Sequence, residues 1–173
     1  MATFFGDDGA CVVYTSNYLA GYIYGLQFTL AEACTATSLS VIAFDDGAEQ
    51  PFRICLFADN GSNDPAVLKG VTAEIAIANE DTTQDMVSGD ITPVALATGK
   101  YFLCVWFAAT SSGVAIGKGA NTGGDYGGYF AKAYHATDSP GDITSWTDLT
   151  TGTWRIKCNY TVAATFTPQA IIV

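Results

Sequence analysis

The chain has 173 residues, enough for one full domain and too few for two ordinary ones. Hydrophobic residues make up 49% of it and charged residues only 14%, with a formal net charge of −10; that balance excludes a disordered chain, which needs the opposite. Seven basic residues lie scattered at Arg53, Lys69, Lys100, Lys118, Lys132, Arg155 and Lys157, so no nucleic-acid partner is expected, because phosphate binding needs clustered cations, and an acidic membrane surface would repel the protein.

Residues 1–18 contain no cationic stretch followed by an apolar run and meet Asp7 and Asp8 early. That is unlike a secretory leader and points to synthesis in a cytosol. Residues 19–30 then alternate, with Tyr22, Tyr24, Leu26, Phe28 and Leu30 on one face and Ile23, Gly25, Gln27 and Thr29 on the other; this is the period of a strand. Residues 31–36 predict at most a turn of helix, and 37–44, β-branched and apolar, predict the next strand up to Asp45-Asp46-Gly47. A strand over 52–58 ends in Asp59-Asn60-Gly61-Ser62-Asn63-Asp64-Pro65, which is made wholly of turn formers.

Residues 65–69 again predict no more than one helical turn. A strand is expected over 71–78, where Ile75 and Ile77 oppose Glu74 and Ala76. Residues 91–96 predict an edge strand, because Pro93 cannot donate to a ladder. The run 101–107 is apolar on both faces, which calls for a central strand or one covered by a partner. Strands follow at 114–118, 128–135 and 154–160, the last with Trp154, Ile156, Cys158 and Tyr160 inward and Arg155, Lys157 and Asn159 outward. Between the first two of these lies a long glycine-rich loop. The tail, about 162–173, ends on Ile171-Ile172-Val173 without a charge, and with the N-terminal segment it is expected to pack on neighbours. About eight to ten short strands with turns between them indicate an all-β, antiparallel sandwich in a single domain spanning 1–173.

The five cysteines, Cys11, Cys34, Cys55, Cys104 and Cys158, are odd in number and carry no CxxC spacing. Buried free thiols acting as small hydrophobes fit this best, and one pair such as Cys11 with Cys34 is the alternative. His135 is the only histidine; a triad with Ser139 would need a presented nucleophile, and no Gly-x-Ser-x-Gly elbow is present. The acids sit in polar loops apart from Glu74, a poor basis for paired-carboxylate hydrolysis. No catalytic residue is therefore assigned. Asp59, Asn60 and Asp64 offer the hard oxygens calcium prefers, but without EF-hand spacing; the competing reading is a turn whose side chains cap backbone amides. Tyr126, Tyr129 and Trp146, on or near the glycine-rich loop, are candidate contacts for a glycan ring or a protein partner, and Ile171 and Ile172 for a partner; Tyr129 fits a core position equally well.

Two stretches carry a resemblance. Phe52-Arg53-Ile54-Cys55-Leu56-Phe57-Ala58-Asp59-Asn60-Gly61, followed by Asp64-Pro65, and Leu96-Ala97-Thr98-Gly99-Lys100-Tyr101-Phe102-Leu103-Cys104-Val105 resemble the strands and turns of jelly-roll β-sandwich domains found in phage virion proteins and bacterial surface proteins. The resemblance covers about 20–110 and carries no functional residue with it. It implies an assembly or adhesion role; the lack of a leader-like start then favours a virion, and the length of a single domain favours a small non-enzymatic accessory such as a capsid decoration or head-fibre protein, bound to other virion proteins and to copies of itself. The alternative it leaves open is a carbohydrate- or receptor-binding module of a tail or an adhesin.

Overall fold

The computed structural model describes residues 3–9, 11, 13–15, 21–45, 51–77, 86–108, 114–118, 127–149 and 154–162. Every regular element among them is a strand. In order along the sequence these are β1 (Thr3–Gly6), β2 (Val13–Thr15), β3 (Tyr22–Leu30), β4 (Cys34–Asp45), β5 (Phe52–Asp59), β6 (Pro65–Val71), β7 (Met86–Leu96), β8 (Gly99–Phe107), β9 (Val114–Lys118), β10 (Gly127–Ala131), β11 (Thr147–Leu149) and β12 (Ile156–Thr161).

Two antiparallel sheets pack face to face. One contains β2, β9, β4 and β7, with β12 and β1 added beside β4; the other runs β11-β10-β3-β8-β5-β6. Taken alone, β2 to β9 give the orders β2-β9-β4-β7 and β3-β8-β5-β6. The polypeptide switches sheet at every step except β5 to β6, and the result is the eight-stranded double Greek key of a jelly roll. The strand count exceeds the eight to ten expected because β1, β2 and β11 have only three or four residues each, too short to show a period. β4 serves three partners, pairing with β12 over 35–41, with β7 over 34–42 and with β9 over 43–45. A hydrogen bond from the Arg155 amide to the Gly117 carbonyl (3.0 Å) marks the seam where β9 takes over from β12.

Alternation explains the core. Leu26, Leu30, Leu39, Val41, Ile54, Leu56, Leu103, Val105, Ile156 and Cys158 all point between the sheets and are buried. Trp154, Ile156, Cys158 and Tyr160 are buried while Arg155, Lys157 and Asn159 are partly exposed, as the pattern of that strand requires. Pro93 lies in β7, whose one ladder partner among the described residues is β4, at a point where the register shifts. This is where a residue without an N–H is tolerated.

Four expectations change. Residues 34–36 extend β4, and 65–71 form strand β6 rather than a helical turn. Residues 72–77 are not a strand: Ile75 makes a single bridge to Phe52, and Thr72 turns its hydroxyl to the Ile54 amide (3.1 Å). β10 ends at Ala131, so 132–135 leave the sheet.

Where those residues go settles what covers β8. That strand lies between β3 and β5, and its second face, with Phe102, Cys104 and Trp106, joins Ile23, Cys55, Phe57 and Ile143 in a second apolar cluster on the outer side of the sheet. The protein itself covers that cluster: segment 132–146 crosses it, with Tyr134, Ile143 and Trp146 pressed down. The apolar second face therefore has its cover within the same molecule and does not call for another subunit.

Candidate functional site

Tyr129 and Trp146 fall on opposite sides of one sheet. Tyr129 of β10 points inward, with its ring centroid 5.7 Å from both Tyr22 and Tyr24, and Tyr24 continues the group to Phe107 at 6.0 Å. The register forces this, because Tyr129 stands opposite Tyr24. Tyr22 and Tyr129 remain half-buried. Trp146 lies on the outer side instead, edge-on to Phe102 at 5.5 Å between ring centroids. It fits there because Gly128 has no side chain: a β-carbon at that position would collide with the indole. The Trp146 Nε1 is buried with no hydrogen-bond partner. Trp146 and Tyr129 therefore do not share a site. Tyr126, Ile171 and Ile172 lie outside the described residues. Tyr22 and Tyr24 are the partners of Tyr129 that single-site reasoning missed; their shared face was readable from the alternation of β3, but their pairing with β10 was not.

Segment 132–146 is fastened at defined points. The Trp106 indole donates to the Lys132 carbonyl (3.0 Å), and the rings of Trp106 and Tyr134 lie 5.1 Å apart. The Tyr134 hydroxyl donates to Glu74 (2.8 Å). The Ile143 amide donates to the Ala66 carbonyl and the Leu68 amide to the Asp142 carboxylate, both at 2.9 Å. These last two bonds occupy outward groups of edge strand β6, the kind of unpaired edge that invites foreign strands. Arg53 is the central fastening. Its side chain is buried, it stands 5.9 Å over the Trp106 ring, and it donates to the carbonyls of Thr72, His135 and Asp138. Burial and the Glu74 contact together push the Tyr134 phenol well above its ordinary range.

The Asp59–Asp64 loop, considered for calcium, is occupied by its own amides. The Gly61 amide donates to Asp59 Oδ1, and the Ser62 and Asp64 amides donate to Asn60 Oδ1 at 2.7 and 3.3 Å. Asn60 Nδ2 reaches Asp64 Oδ2 at 3.4 Å. Gln27 donates to Asp59 and Asn63, and Lys100 donates to Asn63 (2.7 Å). A cation would have to displace these bonds, so the geometry is that of an Asx-turn closing the β5–β6 hairpin. Among the described residues no three His, Cys, Asp or Glu side chains gather.

The remaining candidate chemistry is dispersed. His135 and Asp138 are both exposed with 3.6 Å between them, and the Ser139 hydroxyl accepts from the Gly141 amide. Asp7 pairs with Arg155, and Asp8 with Lys157 at 3.3 Å, so the two neighbouring cations hold the N-terminal segment down. None of the five cysteines is joined in a disulfide among the described residues. Burial raises Cys55 and Cys158 to about 12 and pushes Cys104 well above the ordinary thiol range, which removes the thiolate that reactivity needs.

The other sheet presents a different outer surface. Asn159 Nδ2 donates to the hydroxyls of Ser38 and Ser40, both at 3.0 Å, and Ser40 shares a 2.7 Å hydrogen bond with Ser88. At the rim, Phe4 of edge strand β1 is 37% exposed, with the Lys157 ammonium 4.7 Å from its ring centroid, and Val162 at the end of β12 is 44% exposed. The protein matches no family model, no curated protein and no solved structure.

Proposed function

We propose that this protein is a non-enzymatic structural component of a phage virion, a capsid decoration subunit that docks through the free edge of its β1-containing sheet. The observation that carries this is β1 itself, a strand added outside the eight-stranded jelly roll, paired among the described residues with β12 alone and bearing the exposed Phe4. The contrast with β6 supports it, since that edge is occupied by Asp142 and Ile143. An open edge with an apolar side chain is suited to strand addition. Jelly rolls serve in viral capsids and in lectins alike, so the fold enters as analogy only.

Light scattering over a concentration series, beside Phe4→Asp and a version truncated after Pro168, tests the reading, together with co-sedimentation on capsids. Self-association or capsid binding that Phe4→Asp abolishes is the expected result. A second reading, a carbohydrate-binding module, draws on the half-buried tyrosines Tyr22 and Tyr129 with Tyr24 behind them. A strict monomer that binds no capsid but binds glycans on an array, with binding lost in Tyr129→Ala, would put that reading first.

A further inference from the structure

We infer that Asn60-Gly61 is a built-in modification site, at which the protein passes slowly into an isoaspartyl form that loosens the β5–β6 turn. Asn60-Gly61 is the only Asn-Gly pair among the six asparagines of the sequence. Both residues are exposed, and Gly61 adopts a φ of 90° with no atom within 4 Å of where a β-carbon would stand. In the reaction the Gly61 nitrogen attacks Asn60 Cγ, forming the C–N bond of a five-membered succinimide. The bond between Cγ and Nδ2 of Asn60 breaks, and ammonia leaves with the proton lost from the Gly61 amide. Water then opens the ring at either carbonyl, giving aspartate or isoaspartate. Nothing is oxidised or reduced, and water is the only co-reactant.

The hydrogen bonds of the loop control the rate. Asn60 Oδ1 is held forward by the Ser62 and Asp64 amides, Nδ2 is held by Asp64, and the Gly61 N–H is given to Asp59. The Asn60 carboxamide must leave all of these before Cγ can meet the Gly61 nitrogen, and misplacement from attack geometry is costly in rate. The product differs from the starting loop in two ways. Nδ2, the donor to Asp64, is replaced by a carboxylate oxygen, which sets like charges side by side between Asp59 and Asp64. The isoaspartyl form also adds a backbone methylene to a turn whose closure depends on the Asn60 amide donating to the Asp64 carbonyl (2.9 Å).

The test is incubation of the full-length protein at mildly alkaline pH, folded and in denaturant, followed by tryptic mapping. Cleavage after Arg53 and Lys69 isolates 54–69, and isoaspartyl methyltransferase labelling reports the product. Asn60 is expected to convert first among the asparagines in both states, roughly tenfold more slowly when folded, as a displaced attack geometry requires. Asp64→Ala, which frees Nδ2, is expected to speed conversion in the folded state and leave the denatured rate unchanged. Hydrogen exchange of the converted protein should rise at the β5–β6 turn. Another asparagine converting faster than Asn60 in the folded protein, equal folded and denatured rates, or unchanged exchange at the turn would overturn the inference.

Discussion

The outer faces of the two sheets solve the same problem in opposite ways. On the β4-containing sheet one outward row is small and polar, and Ser38, Ser40, Ser88 and Asn159 bond to one another across three strands, while Ile42 and Phe44 further along β4 are buried on the same face. On the β8-containing sheet they are Phe57, Phe102, Cys104 and Trp106, and an irregular segment, 132–146, is laid over them. The polar row needs no apolar cover, since its side chains satisfy each other. The second face is a miniature core whose lid has no ladder of its own and is held by a few side chains. The lesson is that a strand apolar on both faces calls for a cover without saying whose.

Replacing Trp106 strikes the second face hardest. Trp106 is fully buried, contacts Tyr134 and Arg53, and donates to Lys132. Trp106→Ala should cost about 3–5 kcal/mol, the range for a large aromatic removed from a packed site. Equilibrium unfolding in denaturant measures it. A loss under ~1 kcal/mol would mean that the cover does not behave as core.

Alkaline pH should act on both clusters. Cys55 and Cys158 have folded values of about 12 against an ordinary 9.0, raised chiefly by burial. A raised pKa means that the unfolded protein gives up its proton first. Stability is therefore full below about pH 9 and is lost as pH rises towards 12, with a slope set by the difference in bound protons. Denaturant midpoints taken across that window should fall steadily in the wild type, and the fall should be shallower in Cys55→Ala. A flat profile would show that the thiols are not sealed.

Arg53→Ala should separate lid from core. Three carbonyls lose their donor, that of the buried Thr72 among them, and leaving a buried acceptor unpaired costs roughly 1–3 kcal/mol. Hydrogen exchange should rise across 132–146 well before it rises in β8, because local opening requires less than global unfolding. Simultaneous loss of protection in both would make the segment an integral part of the core rather than a lid.

Much of the fold was legible, and for definite reasons. The alternation in β3 and β12 and the double apolar face of β8 each reflect a residue's neighbours above and below its own strand, which a local pattern records. Three-residue strands such as β2 and β11 carry too few positions to show a period. The helical-turn reading of 65–69 failed because the Pro65 start and Lys69 masked a strand formed by pairing with β5, a tertiary choice. The candidate site was harder to read. Tyr129 and Trp146 stand on opposite faces because Trp146 follows an irregular segment whose path depends on Arg53, which lies 82 and 85 residues before its partners His135 and Asp138. No spacing rule reports such a contact.

The smallest effect should come from the polar face. Asn159 is half-buried and donates to both Ser38 and Ser40, and Ser40, itself buried, passes the contact on to Ser88. In Asn159→Ala two hydroxyls lose a donor, but the rim is open and water can take the vacated place, so the loss should be about 0.5–1.5 kcal/mol, the net worth of an ordinary hydrogen bond. Asn159→Asp keeps the shape while removing the donor and adding a charge on the same sheet as Asp90, which stands opposite Ser38, so it should destabilise more than the alanine. Salt should narrow that gap, because the added term is a screened surface repulsion. Neither change should alter exchange in 132–146, which lies on the far side of the molecule's two-sheet core. Equal losses from the two substitutions, or a loss near that of Trp106→Ala, would mean that this row is as tightly sealed as the aromatic one and that the two faces do not differ in the way their residues indicate.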